Sequence, residues 1–145
     1  MEDLKKLFNR DLDRLIKEIE EIPEHLIWKT KSGITNSCGV LAQHIAGNLK
    51  HFVGAVLGNT GYVRDREREF TNTGTSSEEL IAGLKETQIM LQEVLPKLSH
   101  DILNQDYPLD IPWDYSAHEF LLHLYGHLNY HRGQVNYLRR IFNEN

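Results

Sequence analysis

The sequence predicts an all-α protein, a four-helix bundle with long connections. Three observations lead there. Apolar residues recur at a 3.6-residue period in four long segments, those segments carry helix start or stop signals, and no convincing strand pair is present. At 145 residues the chain can bury one core and is short for two, so a single domain over 1–145 is expected.

Leu4, Leu7, Phe8, Leu12, Leu15, Ile16 and Ile19 place the first helix over 2–22, where Pro23 stops it. Thr35, Asn36 and Ser37 offer N-cap side chains for a second helix over 37–57. Its inward stripe reads Leu41, His44, Ile45, Phe52 and Val56, and Gly58-Asn59-Thr60-Gly61 is expected to close it in a left-handed turn. Residues 58–75 form the longest irregular stretch, and loops of that length in compact domains are usually functional or mobile. Ser76-Ser77-Glu78-Glu79 is a capping box opening a third helix over 77–98. Leu80, Ile81, Leu84, Thr87, Ile89, Leu91, Val94 and Leu98 fill its apolar face, with Pro96 disturbing the last turn. Tyr107-Pro108 and Ile111-Pro112 make 100–115 a connection with a short extended piece. A second capping box, Ser116-Ala117-His118-Glu119, opens the last helix over 116–143.

Composition narrows the function classes. Lys and Arg total 16 against 21 Asp and Glu, a net charge of −5, which argues against a nucleic-acid phosphate backbone as the partner. The run Arg64-Asp65-Arg66-Glu67-Arg68-Glu69 alternates in sign and largely cancels itself. A lone Cys38 excludes an intrachain disulfide and suits a reducing cytoplasm. No signal peptide is expected, and no run approaches the ~18–20 apolar residues of a membrane span.

The compositional outlier is histidine: eight in the chain, four of them between positions 118 and 131. In the last helix His123, His127 and His131 recur every fourth residue, and residues four apart stack on one helix face with Cβ atoms about 5–6 Å apart. His127 and His131 interrupt the apolar stripe Phe120, Leu124, Leu128, Val135, Leu138 and Phe142 from within. Both imidazoles therefore point inward, where an unpartnered polar ring is costly and a metal ion would satisfy it. His123 and His131 lie about 12 Å apart along the axis, too far for one ion, as are His44 and His51 at roughly 10 Å. The pair His127/His131 is preferred, being deeper in the helix with Gly126 and Gly133 leaving space. His44, in the inward stripe of the second helix, is the best third ligand. Three imidazoles leave an open position suited to chemistry and do not by themselves identify Zn, Ni, Fe or Cu. Asn48, Tyr130 and Gln134 are candidates for orienting a ligand. His25, His100 and His118 read as solvated, and His51 and His123 as groups behind the ligands or on the surface. Trp28 and Trp113 read as aromatics capping the bundle. Cys38 sits in a first helical turn that favours a thiolate, against the simpler reading of a buried structural thiol.

The segments Leu41-Ala42-Gln43-His44-Ile45 and His127-x-x-x-His131-x-Gly133-Gln134 resemble the DinB-like family, including its YfiT-type members. The helix order and the long second-to-third connection match as well, so the resemblance covers essentially the whole chain. It implies a four-helix bundle of the DinB/YfiT type, commonly homodimeric, with a divalent metal, often Ni or Zn, on three histidines. Matched residue by residue, those are His44, His127 and His131. Related bundles include thiol-dependent enzymes in which the metal activates a low-molecular-weight thiol.

The Glu of an H-E-x-x-H metalloprotease is absent, as are the Glu-x-x-His pairs of a di-iron bundle. The expectation is a cytoplasmic mononuclear metalloenzyme, a hydrolase or a thiol-dependent transferase, acting on a small molecule with Zn, Ni or Fe. Neither nucleic acid nor a membrane is expected as a partner. The alternative is a non-catalytic bundle that binds a metal or small ligand as a stress or sensor protein; a third reading is a plain dimerising bundle.

Overall fold

The computed structural model describes residues 1–143. Six α-helices appear in the order α1 (Glu2–Glu20), α2 (Cys38–Leu49), α3 (Arg66–Thr71), α4 (Ser77–Val94), α5 (His100–Asn104) and α6 (Ala117–Asn143). The fold is all-α; among the described residues the only extended pairings are two isolated bridges, Lys31 with Ile34 and Asp106 with Ser116. The four long helices make the bundle.

Cross-helix contacts give the directions. Asp11 meets Tyr125 and Glu18 meets Asn136, so α1 and α6 run parallel. Gln88 reaches Asn9 and Asp13, while Ser77 meets Glu24, so α4 runs against α1. Cys38 faces Val135 and Phe52 faces Phe120, so α2 runs against α6. Lys50 bonds Glu86 and Gly58 lies against Val94, which makes α2 parallel to α4. Two consecutive parallel helices cannot be joined by a tight turn. The long 58–76 connection follows from that topology.

Helix ends obey local chemistry. The Ser37 hydroxyl accepts the Val40 N–H at the start of α2. Both capping boxes close: Ser76 with Glu79, and Ser116 with Glu119, each exchanging hydrogen bonds between side chain and backbone. Pro96 ends α4 at Val94 and tightens the next turn to a 3₁₀ geometry over Leu95–Lys97.

Three sequence expectations change in detail. The second helix turns into a π-helix over Lys50–Leu57, and the wider turn buries Val53 fully while Phe52 is only half-buried. At its end Asn59 and Gly61, not Gly58, take the left-handed backbone, with φ 50° and 77°; Gly58 keeps the right-handed helical backbone, and a Cβ on it would come within 2.5 Å of Val94 on α4. Ile89 of α4 is 57% exposed and Gln88 is buried instead, because Gln88 donates to Asn9 and Asp13 on α1. No helix among the described residues is long and apolar enough to cross a membrane.

The core comprises Phe8, Leu12, Leu15 and Ile19 of α1, Leu41, Ile45 and Leu49 of α2, Leu84 and Leu91 of α4, and Leu121, Leu124 and Leu128 of α6. A carboxylate of α1 lies inside it. Asp11 is fully buried, bonded by Arg10, Arg14 and the Tyr125 hydroxyl. Burial alone would raise its pKa; hydrogen bonds from Arg10, Tyr125 and Asn129 outweigh that and hold the carboxyl well below the usual range. A depressed folded-state pKa stabilises above the unfolded value, about 3.9, and that stabilisation is lost as pH falls below it. Chemical denaturation of Asp11→Asn should therefore show lower stability than the parent at pH 7, by about 2 kcal/mol, with the gap narrowing below about pH 4. A gap that is unchanged at low pH would exclude the ionised carboxylate as its source.

Candidate metal centre

The antiparallel pairing of α2 with α6 sets His44 opposite His127 and His131. His127 Nε2 lies 3.3 Å from His44 Nε2 and 3.0 Å from His131 Nε2. One ligand nitrogen from each ring falls within 4.8 Å of the other two. Nitrogens at the usual ~2.0–2.1 Å from a tetrahedral Zn would stand about 3.3–3.4 Å apart, close to the two separations at His127. Of the expected candidates these three come together. His25, His100 and His118 are exposed, as expected of solvated side chains.

The outer ring nitrogens are held as well. His44 Nδ1 lies 3.0 Å from Glu69 Oε2, and Glu69 is gripped by Arg64 through bonds of 2.7 and 2.8 Å. His131 Nδ1 lies 2.7 Å from Gln134 Oε1. A carboxylate or amide oxygen can only accept, so each of these Nδ1 atoms carries the proton and donates it. In neutral rings that leaves the Nε2 atoms of His44 and His131 as bare lone pairs aimed at His127 Nε2. A neutral His127 can offer one proton to one of them. The other nitrogen–nitrogen contact then has no hydrogen, and a cation would relieve it.

A second proton is hard to place there. Burial, and then the neighbouring His131 and His44, push the His127 pKa down to about 3. Burial also lowers that of His131, against a partial upward pull from Gln134. Glu69 is held ionised: burial would raise its pKa, but hydrogen bonds from Arg64 and His44 prevail and lower it. Imidazoles of which two are held toward the neutral form, with an ionised carboxylate behind the third, are a donor set ready for a divalent cation.

Sequence reading missed Glu69 and Arg64. The alternating run 64–69 is not a self-cancelling surface stretch: α3 turns Glu69 inward, 7% exposed, while Glu67 and Arg68 stay in solvent. Asp65 caps α3 by accepting the Arg68 N–H, and Gln43 ties the helix to α2 by donating to the carbonyls of Glu69 and Asn72. A Cβ at Gly47 would collide with the Glu69 carboxylate, so only glycine lets α3 seat against α2. The signal in the sequence was an Asp N-cap and an aromatic, Phe70, inside the supposed loop. Gly126 and Gly133, in contrast, lie on the exposed face of α6, where a Cβ would meet nothing within 4 Å, so they make no room for His131.

Cys38 is buried, and burial foremost pushes its thiol up to about 12, which settles the competing readings in favour of a structural thiol. Trp28 packs over Gly39 and donates to the Thr75 carbonyl, a cap as expected. Trp113 is 44% exposed and stands 4.4 Å from the His123 ring.

Comparison with solved structures places the fold. A DinB-like protein from Bacillus cereus superposes with a TM-score of 0.74 at 18% identity, over 99% of this chain and 93% of that one. A protein from Streptococcus pneumoniae gives 0.71 at 16% identity, over 99% and 90%. The colibactin self-resistance protein ClbS, solved in complex with dsDNA, gives 0.65 at 19% identity, over 96% and 95%. That complex overturns the expectation that nucleic acid is no partner. A net charge of −5 is a sum over the whole chain, whereas phosphate binding depends on where cations cluster locally. No curated protein matches the chain. The fold is DinB-like, and a family model described as a protein of unknown function, DUF1572, matches residues 1–145: the chain belongs to the DUF1572 family.

Proposed function

We propose that the chain is a single-domain mononuclear metalloprotein in which His44, His127 and His131 hold a divalent cation, Zn, Ni or Fe. We assign it hydrolysis or thiol-dependent group transfer on a small molecule, in a reducing, cytoplasmic setting. The observation that carries the reading is three converging Nε2 atoms, two of them in rings whose outer nitrogen donates to Glu69 or Gln134, so that neutral rings hold at most one proton among the three. A bound cation would supply Lewis acidity and lower the pKa of a water or thiol in its open position.

The chain's own residues do the rest. Glu69 fixes the His44 ring and its tautomer and adds negative charge behind a neutral ligand. Arg64 clamps Glu69 and shields it from water, with its guanidinium 5.5 Å over the Phe52 ring. Gln134 sets the His131 ring in the same way, without a charge. The fold neighbour described as DinB-like supports the reading, since the resemblance to that family implies a three-histidine metal.

Elemental analysis of purified untagged protein should find about one equivalent of Zn, Ni or Fe, lost in His44→Ala, His127→Ala and His131→Ala but kept in His25→Ala. No metal after incubation with each ion would leave a structural bundle. The loaded protein should accelerate hydrolysis or transfer to an added thiol in a substrate screen, and His127→Ala should not; metal without turnover would favour a binding protein. Glu69→Gln should weaken metal affinity about 10- to 100-fold in competition with a chelator. Gly47→Ala, which changes neither a ligand residue nor its partner residue, should reproduce that loss by displacing the Glu69 carboxylate from His44. Wild-type affinity in both variants would remove Glu69 from the centre.

A further inference from the structure

The face of α2 that carries His44 also carries Asn48, one turn on, which sets the two Cβ atoms about 5–6 Å apart. Asn48 is 7% exposed, and its Oδ1 is buried with no hydrogen-bond partner among the described residues. Buried amide oxygens nearly always have a partner, and leaving one bare is costly. Leucine occupies a similar volume without that cost, so an amide here points to a partner that is not part of the chain.

The surroundings suggest what the partner is. His44 faces His127, and two turns later Phe52 faces Phe120 at 5.2 Å between ring centroids, so Asn48 lies in the layer between the three imidazoles and these rings. Beyond Phe120 the ring contacts continue through His123, stacked at 5.6 Å, to Trp113. One side of Asn48 is thus the proposed metal centre and the other a ladder of planar rings. Phe52 is also half-buried beside His51, in the segment where the helix widens.

We infer that Asn48 grips the exogenous molecule that enters the open position of the three-histidine centre. Its Oδ1 accepts a hydrogen bond from an O–H or N–H of that molecule. The inference rests on the metal reading above and extends it to a substrate class: a small molecule with a donor hydrogen next to its metal-binding atom. Asn48 is on this account a positioning residue.

The test uses protein loaded with Co(II), whose visible absorption reports exogenous ligands, titrated with acetohydroxamate and with its N-methyl derivative, which lacks the N–H. The parent should bind the N–H compound more tightly, by about tenfold, the order expected for one hydrogen bond in a dry site. Asn48→Leu should abolish the preference while leaving Co(II) affinity and the stability of the metal-free protein undiminished. Asn48→Asp, which keeps an acceptor oxygen, should retain it. Binding of both compounds with the same preference in the parent and in Asn48→Leu overturns the role of Asn48; if that variant does not fold, Asn48→Ala serves in its place. Bound Co(II) that responds to neither compound overturns the open-position reading itself.

Discussion

Three imidazole nitrogens brought within 4.8 Å of one another in a bundle interior set a constraint that most of the nearby structure answers. Rings that are free to flip or change tautomer would relieve the crowding by rotating away. Here two of the three cannot, because their outer nitrogens are committed to Glu69 and Gln134. The commitment of His44 is the more demanding. It needs a carboxylate at the level of the second helix, and none of that helix's own residues supplies one. The chain brings it from the connection instead, on a six-residue helix clamped by Gln43 and Arg64 and seated against the bare backbone of Gly47.

That solution depends on topology. Because α2 and α4 run parallel, the chain must travel the length of the bundle between them, and the travelling segment passes along the outside of α2. A tight up-and-down bundle would have had no segment in that position. On the opposite side α1 and α6 also run parallel, held in register by Asp11 with Tyr125 and by Glu18 with Asn136 and Arg139. Bonds from Arg10, Arg14 and the Tyr125 hydroxyl satisfy the Asp11 carboxylate despite full burial. α6, which carries two of the three histidines, is therefore fixed from both sides: by α1 through polar pairs and by α2 through the centre itself.

The fold and the histidines were legible in the sequence because both are periodic signals. Four amphipathic stretches and two capping boxes specify helices locally, and His127 with His131 on an apolar face can only point inward. What was not legible depends on tertiary placement. Glu69 sits in an alternating charged run, and nothing local distinguishes it from Glu67; it is buried because α3 packs against α2, a fact about a distant glycine and glutamine. The exposure of Ile89 and burial of Gln88 follow from Asn9 and Asp13 across the bundle, again invisible along the chain. The exclusion of nucleic acid failed for a related reason, since net charge carries no information on arrangement. Within Gly58-Asn59-Thr60-Gly61 the left-handed backbone falls to Asn59 and Gly61, while packing on Val94 keeps Gly58 in helical backbone, a placement no local signal gives.

The widened turns of α2 tie these features to function. π-helical segments are rare and concentrate at functional sites, because an extra residue in the turn re-aims the side chains that follow without breaking the helix. In this chain the change begins at Lys50, just after His44 and Asn48 have been placed by regular α geometry. Up to that point the helix needs α periodicity, since His44 must face α6 while Gly47 faces Glu69. Past it, the wider turn buries Val53 and leaves Phe52 at the boundary, ring to ring with Phe120 and under the Arg64 guanidinium. The same Arg64 holds Glu69. A single side chain thus links the Phe52 ring to the carboxylate behind His44.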